Sequence, residues 1–129
     1  MNRAGQLPRP ERGARAHRAG LAAERLAALW LRLKGYRILA RRWRSPAGEL
    51  DLVACKGGII AFVEVKGRGD AQTAAEALSR RQRLRLERAA GDFLRHHSRF
   101  AALSPRFDVF LVVAGHRPVH LRDAWRPQN

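Results

Sequence analysis

Glu49, Asp51 and Glu64 are carboxylates standing in two runs that otherwise read as buried β-strands, and Lys66 follows two residues behind the last of them. The runs Gly48-Glu49-Leu50-Asp51-Leu52-Val53 and Phe62-Val63-Glu64-Val65-Lys66 flank Gly57-Gly58, a pair suited to the two-residue turn of a hairpin. With these glycines as the loop, Lys56 faces Ile59, and counting back sets Asp51 opposite Glu64 and Glu49 opposite Lys66. Side chains alternate along a strand, so all four are expected on one face. Like charges directly opposed at ~4.5–5.5 Å repel unless something neutralises them. A divalent cation would do so. Mg²⁺ takes oxygen ligands and keeps several waters, so Asp51, Glu64 and the carbonyl of Val65 would be enough protein, with Mn²⁺ as a substitute. Lys66 would orient or deprotonate a water, or stabilise an oxyanion as a point charge. Glu49 would tune that lysine or join the metal shell. The plain alternative is an edge strand whose Glu and Lys only keep neighbours away. Against it, the run from Ile59 to Val65 is apolar except for Glu64, and an unpaired carboxylate in such a strand is costly.

The fuller set of motifs resembles one family. Gly20 and Glu24, Gly35-Tyr36-Arg37-Ile38-Leu39, Gly48 to Val53, Phe62 to Arg68 and Arg106-Phe107-Asp108-Val109 are together similar to the YraN-like proteins, bacterial proteins of uncharacterised function. The resemblance spans about Ala14 to Trp125. Asp51, Glu64 and Lys66 match the PD-(D/E)XK pattern of phosphodiesterases, and the family is similar to archaeal Holliday-junction resolvases and other restriction-endonuclease-like folds. It implies an α/β fold, a mixed central sheet flanked by helices with a restriction-endonuclease-like core, and a Mg²⁺-dependent endonuclease; it does not supply the substrate, for which a branched DNA is one expectation. In such relatives a glutamate on the first helix reaches the metal. Glu24 matches that position, and its alternative is a solvated helix-face acid.

Composition agrees with a polyanionic partner. Lys and Arg number 26 against 11 Asp and Glu, a net charge of +15, beyond what solubility requires. Arginine predominates, which suits bidentate phosphate recognition. Nucleic acid is the expected partner, DNA before RNA, and Arg41, Arg42, Arg44, Arg68 and Arg81 are the candidate contacts.

A chain of 129 residues is one domain. Residues 1–13, with Pro8, Pro10 and three arginines, read as a flexible basic tail before a single nuclease-like domain over 14–129. Leu21, Leu26, Leu29, Trp30 and Leu33 recur at helical spacing and predict a first helix over Ala14–Lys34, stopped by Gly35. Tyr36–Arg44 is the next strand, its arginines around a Trp43 that is expected to be core. The loop after Lys66 borders the site. Thr73 with Glu76, and Ser79 with Gln82, have capping-box spacing. They predict a short turn of helix and then a long helix over Arg80–His96, buried through Leu84, Leu86, Ala89, Ala90, Phe93 and Leu94. The PD-(D/E)XK resemblance implies a basic or amide residue on that helix facing the site, for which Arg81 or Gln82 are the candidates, and a solvated charged face is the alternative. Arg106–Ala114 and Val119–Arg122 complete the sheet. Its core draws on Leu52, Val53, Ile60, Phe62, Val63, Val65, Phe107, Val109, Leu111 and Val113. Asp108 reads as a structural acid pairing an arginine.

Cys55 is the single cysteine, so neither an intrachain disulfide nor a cysteine zinc site is expected, which fits a reducing cytoplasm. No run approaches the roughly 20 apolar residues of a membrane span. A homodimer would suit the cutting of a symmetric junction. Two other classes remain: a catalytically silent nucleic-acid-binding module, and an interaction protein of a larger assembly.

Overall fold

The computed structural model describes residues 9–67, 76, 78–113 and 115–128. Helix α1 (Arg9–Leu33) leads into three antiparallel strands, β1 (Arg37–Ser45), β2 (Gly48–Lys56) and β3 (Ile59–Lys66). Helix α2 (Arg80–His96) follows, then a short 3₁₀ turn at Ser98–Phe100, β4 (Ser104–Leu111) and β5 (Val119–Trp125). The sheet order is β1-β2-β3-β4-β5. β3 and β4 run parallel while β4 and β5 are antiparallel. A parallel pair needs a crossover connection, and α2 is that crossover.

The β2–β3 hairpin turns at Gly57-Gly58 with Lys56 opposite Ile59, as the alternation predicts. Positive φ is needed at Gly57, 58°, which glycine adopts without a Cβ clash. Helix α2 starts with a complete capping box: the Ser79 hydroxyl accepts the Gln82 amide at 3.1 Å, and the Gln82 side chain accepts the Ser79 amide at 2.8 Å. Two of the four orphan donors of a helix start are thereby satisfied.

Alternation in β3 divides the core into two layers. Ile60 and Phe62 face α2, where Ala89, Ala90 and Phe93 pack with Phe107 and Trp125. Ala61 and Val63 face α1, against Ala27, Ala28 and Leu31. Phe93 is 1% exposed, a burial worth about 2–3 kcal/mol. Trp43 lies edge-on to the Phe93 ring at 5.3 Å, so its indole belongs to the core. Eight of the ten expected sheet-core residues are buried, while Val65 and Val113 are only partly so.

Three expectations need correction. Helix α1 begins at Arg9, so residues 9–13 of the anticipated tail are helical; residues 1–8 lie outside the described residues, as do Arg68 and Thr73. The apolar stripe of α1 faces outward. Leu26, Leu29, Trp30 and Leu33 are exposed, and the sheet is met instead by Ala27, Ala28 and Leu31. Alanines let a helix lie close to a sheet, and that close approach outweighs the larger apolar area of the leucines. Leu84 of α2, expected in the core, is likewise exposed. Among the described residues no helix is long and apolar enough to cross a membrane.

Candidate metal centre

Helix α1 delivers Glu24 to the sheet by the same spacing that buries its alanines. Residues 24, 27, 28 and 31 share one helix face, and the Glu24 side chain is only 13% exposed. It meets the first half of β2. One carboxylate oxygen from each of Glu24, Glu49 and Asp51 lies within 4.8 Å of the other two. These donors are hard oxygens, the set that suits Mg²⁺ or Mn²⁺ and gives zinc no thiolate or imidazole.

The sheet forks at this point. β2 and β3 pair as far as Leu52↔Val63. Beyond it, residues 48–50 stay with β1, through Trp43↔Leu50, Arg44↔Glu49 and Ser45↔Gly48. Residues 64–66 stay with β4, through Glu64↔Val109, Val65↔Phe110 and Lys66↔Leu111. The parting strands leave backbone groups without a ladder partner. Asp51 replaces one of them: its Oδ2 accepts the Val65 amide at 2.9 Å. A carboxylate is thus fixed at the crotch of the fork.

The fork also changes the neighbours of each acid. Leu50 and Val53, three residues apart, pack in the same layer, whereas a regular strand would point them to opposite faces. Strict alternation therefore fails across Asp51. Glu49 does not face Lys66; its cross-strand partner is Arg44, at 2.8 Å. Glu64 stands outside the group of three. It reaches Asp51 by a side-chain hydrogen bond, and with Asp51 and Leu86 it lines a small interior void.

Burial pushes the Glu64 carboxyl up to about 9, with the hydrogen bond and charge of Asp51 adding to the rise and Lys66 opposing it. Glu24 is raised as well, first by burial and then by Asp51, against the pull of Arg42. Burial is the first cause of both shifts and the neighbouring carboxylates add to it, a repulsion that a cation would relieve.

Arg42 partly plays that part. Its Nε is 3.7 Å from Glu24 Oε2 and 3.7 Å from Glu49 Oε1. Its φ is 52°, the left-handed region that a non-glycine residue seldom occupies within a strand. Of the other candidate arginines, Arg41 and Arg81 are exposed and Arg44 pairs with Glu49. Gln82 is committed to the cap of α2. Arg85 rather than Arg81 reaches toward β2, lying so close to Gly48 that a Cβ there would meet its Cγ at 2.9 Å.

Sequence reasoning left His120 unplaced. Asp108 is fully buried and gathers Arg106 Nε and Nη2 at 2.8 Å, His120 Nε2 at 2.7 Å and the Asp123 amide at 3.0 Å. Arg106 also reaches the Tyr36 hydroxyl at 2.7 Å, a link across 70 residues. No local pattern announces such a network. The arginine partner of Asp108 is the one part of it that the sequence suggests.

A family model described as "Uncharacterised protein family UPF0102" matches residues 23–112. The chain belongs to UPF0102. This is the family to which the YraN-like motifs point. Similar members include a UPF0102 protein of Parvibaculum lavamentivorans, 55% identical over 125 residues that span 97% of this chain and 94% of the relative. A UPF0102 protein of Paramagnetospirillum magneticum is 51% identical over 86% of this chain and 89% of its own. One from Caulobacter vibrioides is 44% identical over 91% and 94%. The UPF0102 match contains Glu24, Glu49, Asp51, Glu64 and Lys66, while β5 with His120 and Trp125 lies beyond it.

Proposed function

We propose that this chain is a metal-dependent nuclease that hydrolyses phosphodiester bonds of nucleic acid, DNA before RNA. The observation that carries this reading is the fork: Asp51, held by the Val65 amide, joins Glu24 and Glu49 on one side and Glu64 on the other. Glu24, Glu49 and Asp51 would hold Mg²⁺ or Mn²⁺, which when bound would activate a water and offset charge developing on the phosphorus oxygens. The protein's own groups do the rest. Lys66 lies close enough to Glu64 to lower its pKa, and its ammonium is suited to hold a phosphoryl oxygen as charge builds there. Glu64, beside Asp51 in the wall of the same small void, helps to fix that carboxylate's orientation. The exposed Arg41 and Arg81, with the net charge of +15, supply the attraction for a polyanion.

One observation favours a second reading. Arg42 already balances two of the acids, an arrangement that a silent nucleic-acid-binding module would also use. Labelled four-way junction, duplex DNA, single-stranded DNA and RNA, incubated with Mg²⁺ or Mn²⁺, separate the two. Cation-dependent cutting of any of them supports the nuclease. Binding to all of them that is unaltered by cation, with no product, favours the module.

A further inference from the structure

Lysine is scarce in this chain. Lys and Arg together number 26, yet lysine stands only at positions 34, 56 and 66. An amine can give up its proton and act as a nucleophile, whereas a guanidinium stays charged. Lys66 lies beside Glu64 at the fork. Lys34 and Lys56 lie together where α1 ends. The Lys56 ammonium donates to the Lys34 carbonyl at 2.6 Å, and the Lys34 amide donates to the Trp30 carbonyl at 3.0 Å. The Lys34 backbone is thus held from both sides while its side chain meets β5.

Lys34 Nζ is 2.5 Å from His120 Nδ1, and His120 Nε2 is 2.7 Å from Asp108 Oδ2. An ionised carboxylate only accepts, so this bonding assigns the ring hydrogen to Nε2 and turns the lone pair of Nδ1 toward the lysine. The imidazole is firmly seated. Tyr36 stands edge-on to it at 5.8 Å, Phe110 lies at 5.4 Å, and its side chain is 4% exposed. Lys34 itself is exposed. Amine, imidazole and buried carboxylate follow one another as nucleophile, base and orienting acid. Burial first, then the charge of Arg122, hold the Lys34 ammonium below its ordinary value of 10.5; Lys56 and Arg106 act the same way and Asp108 opposes them. The free amine is correspondingly more abundant at neutral pH. These cations also make the approach attractive to an anion.

We propose that Lys34 is a reactive amine that is acylated by an acyl phosphate, with His120 as the base and Asp108 as the residue that orients it. The uncharged amine attacks the acyl carbon. The bond from that carbon to the phosphate oxygen breaks, phosphate leaves with the electron pair, and the proton shed by nitrogen passes to His120 Nδ1. Arg122, exposed on β5, is placed to favour the departing phosphate. The product is an amide that has lost the positive charge of Lys34. None of this depends on the nuclease reading.

Lys56 and Lys66 are internal controls. The folded full chain is incubated with acetyl phosphate, and acetylation at each lysine is followed by peptide mass spectrometry. Lys34 is expected to react at least about tenfold faster than the other two, a preference lost when the chain is unfolded in urea. His120→Gln should remove most of that preference, and added imidazole should restore it in His120→Ala. Arg122→Gln, a surface change that leaves His120 and Asp108 in place, should slow Lys34 several-fold with acetyl phosphate and leave its reaction with the uncharged donor p-nitrophenyl acetate nearly unaltered. A bond that only ties α1 to β5 would instead protect the amine. Lys34 reacting no faster than Lys56, undiminished preference in folded His120→Gln, or an Arg122→Gln rate unchanged with acetyl phosphate would overturn the proposal.

Discussion

The Val65 amide donates to Asp51 Oδ2 at 2.9 Å, across the fork between β2 and β3. The same carboxyl therefore closes a gap in the sheet and belongs to the acid group. Asp51→Ala removes both roles and leaves a partly buried amide without its partner, a loss of about 1–3 kcal/mol. Asp51→Asn keeps an oxygen for the amide and removes the charge. Urea unfolding should show the alanine variant clearly destabilised and the asparagine variant within about 1 kcal/mol of wild type. Equal destabilisation by both would mean that the fork does not depend on this bond.

Arg42 is expected to compete with a cation. Replacing it by glycine removes the guanidinium from Glu24 and Glu49 and makes its φ of 52° easy to adopt. Mn²⁺ titration should give affinity raised several-fold, with the unfolding free energy unchanged within about 1 kcal/mol. Unchanged Mn²⁺ affinity would separate Arg42 from the metal centre.

Asp108 makes stability depend on acid. Burial alone would raise its carboxyl, but hydrogen bonds from His120, Arg106 and the Asp123 amide together hold it below its ordinary value of 3.8. The folded pKa lies under the unfolded one, so this contribution is complete above the unfolded value and disappears as pH falls through the folded value. Urea midpoints should drop as pH falls below about 4. Asp108→Asn should cost about 3–5 kcal/mol at neutral pH, because it leaves the part-buried Arg106 without its counter-charge and disturbs the hydrogen bond to His120, and it should flatten that acid dependence. A variant as acid-sensitive as wild type would place the dependence elsewhere.

The two faces of α1 predict opposite responses to substitution. Leu33 is 74% exposed and Ala28 fully buried. Leu33→Ser should change stability by no more than about 0.5 kcal/mol, whereas Ala28→Leu should cost about 1–3 kcal/mol through overpacking. Thermal unfolding of both variants measures this directly. A larger loss from Leu33→Ser would show the apolar stripe to be the packed face.

That helix also marks where the sequence stops being legible. Periodicity weighs residues by hydrophobicity, so it selects leucines, while the sheet selects alanines for close approach; Glu24 becomes sheet-facing only on the second criterion. The hairpin is readable because Gly57-Gly58 and alternation agree, and α2 because Ser79 and Gln82 announce its first turn within four residues. Glu49 is misjudged because a ladder counted from the turn cannot reveal that the strands part after Leu52↔Val63. The Asp108 network is hidden for another reason. Its members come from Tyr36 ahead of β1, from β4 and from β5, and such distant pairs leave no mark on local pattern.

The most direct test of the nuclease reading compares wild type, Asp51→Asn and Lys66→Ala on one labelled substrate, measuring Mg²⁺-dependent cleavage and cation-free binding side by side. The account predicts cleavage by wild type alone, with binding retained by all three. Cleavage by Asp51→Asn or Lys66→Ala at the wild-type rate would contradict it.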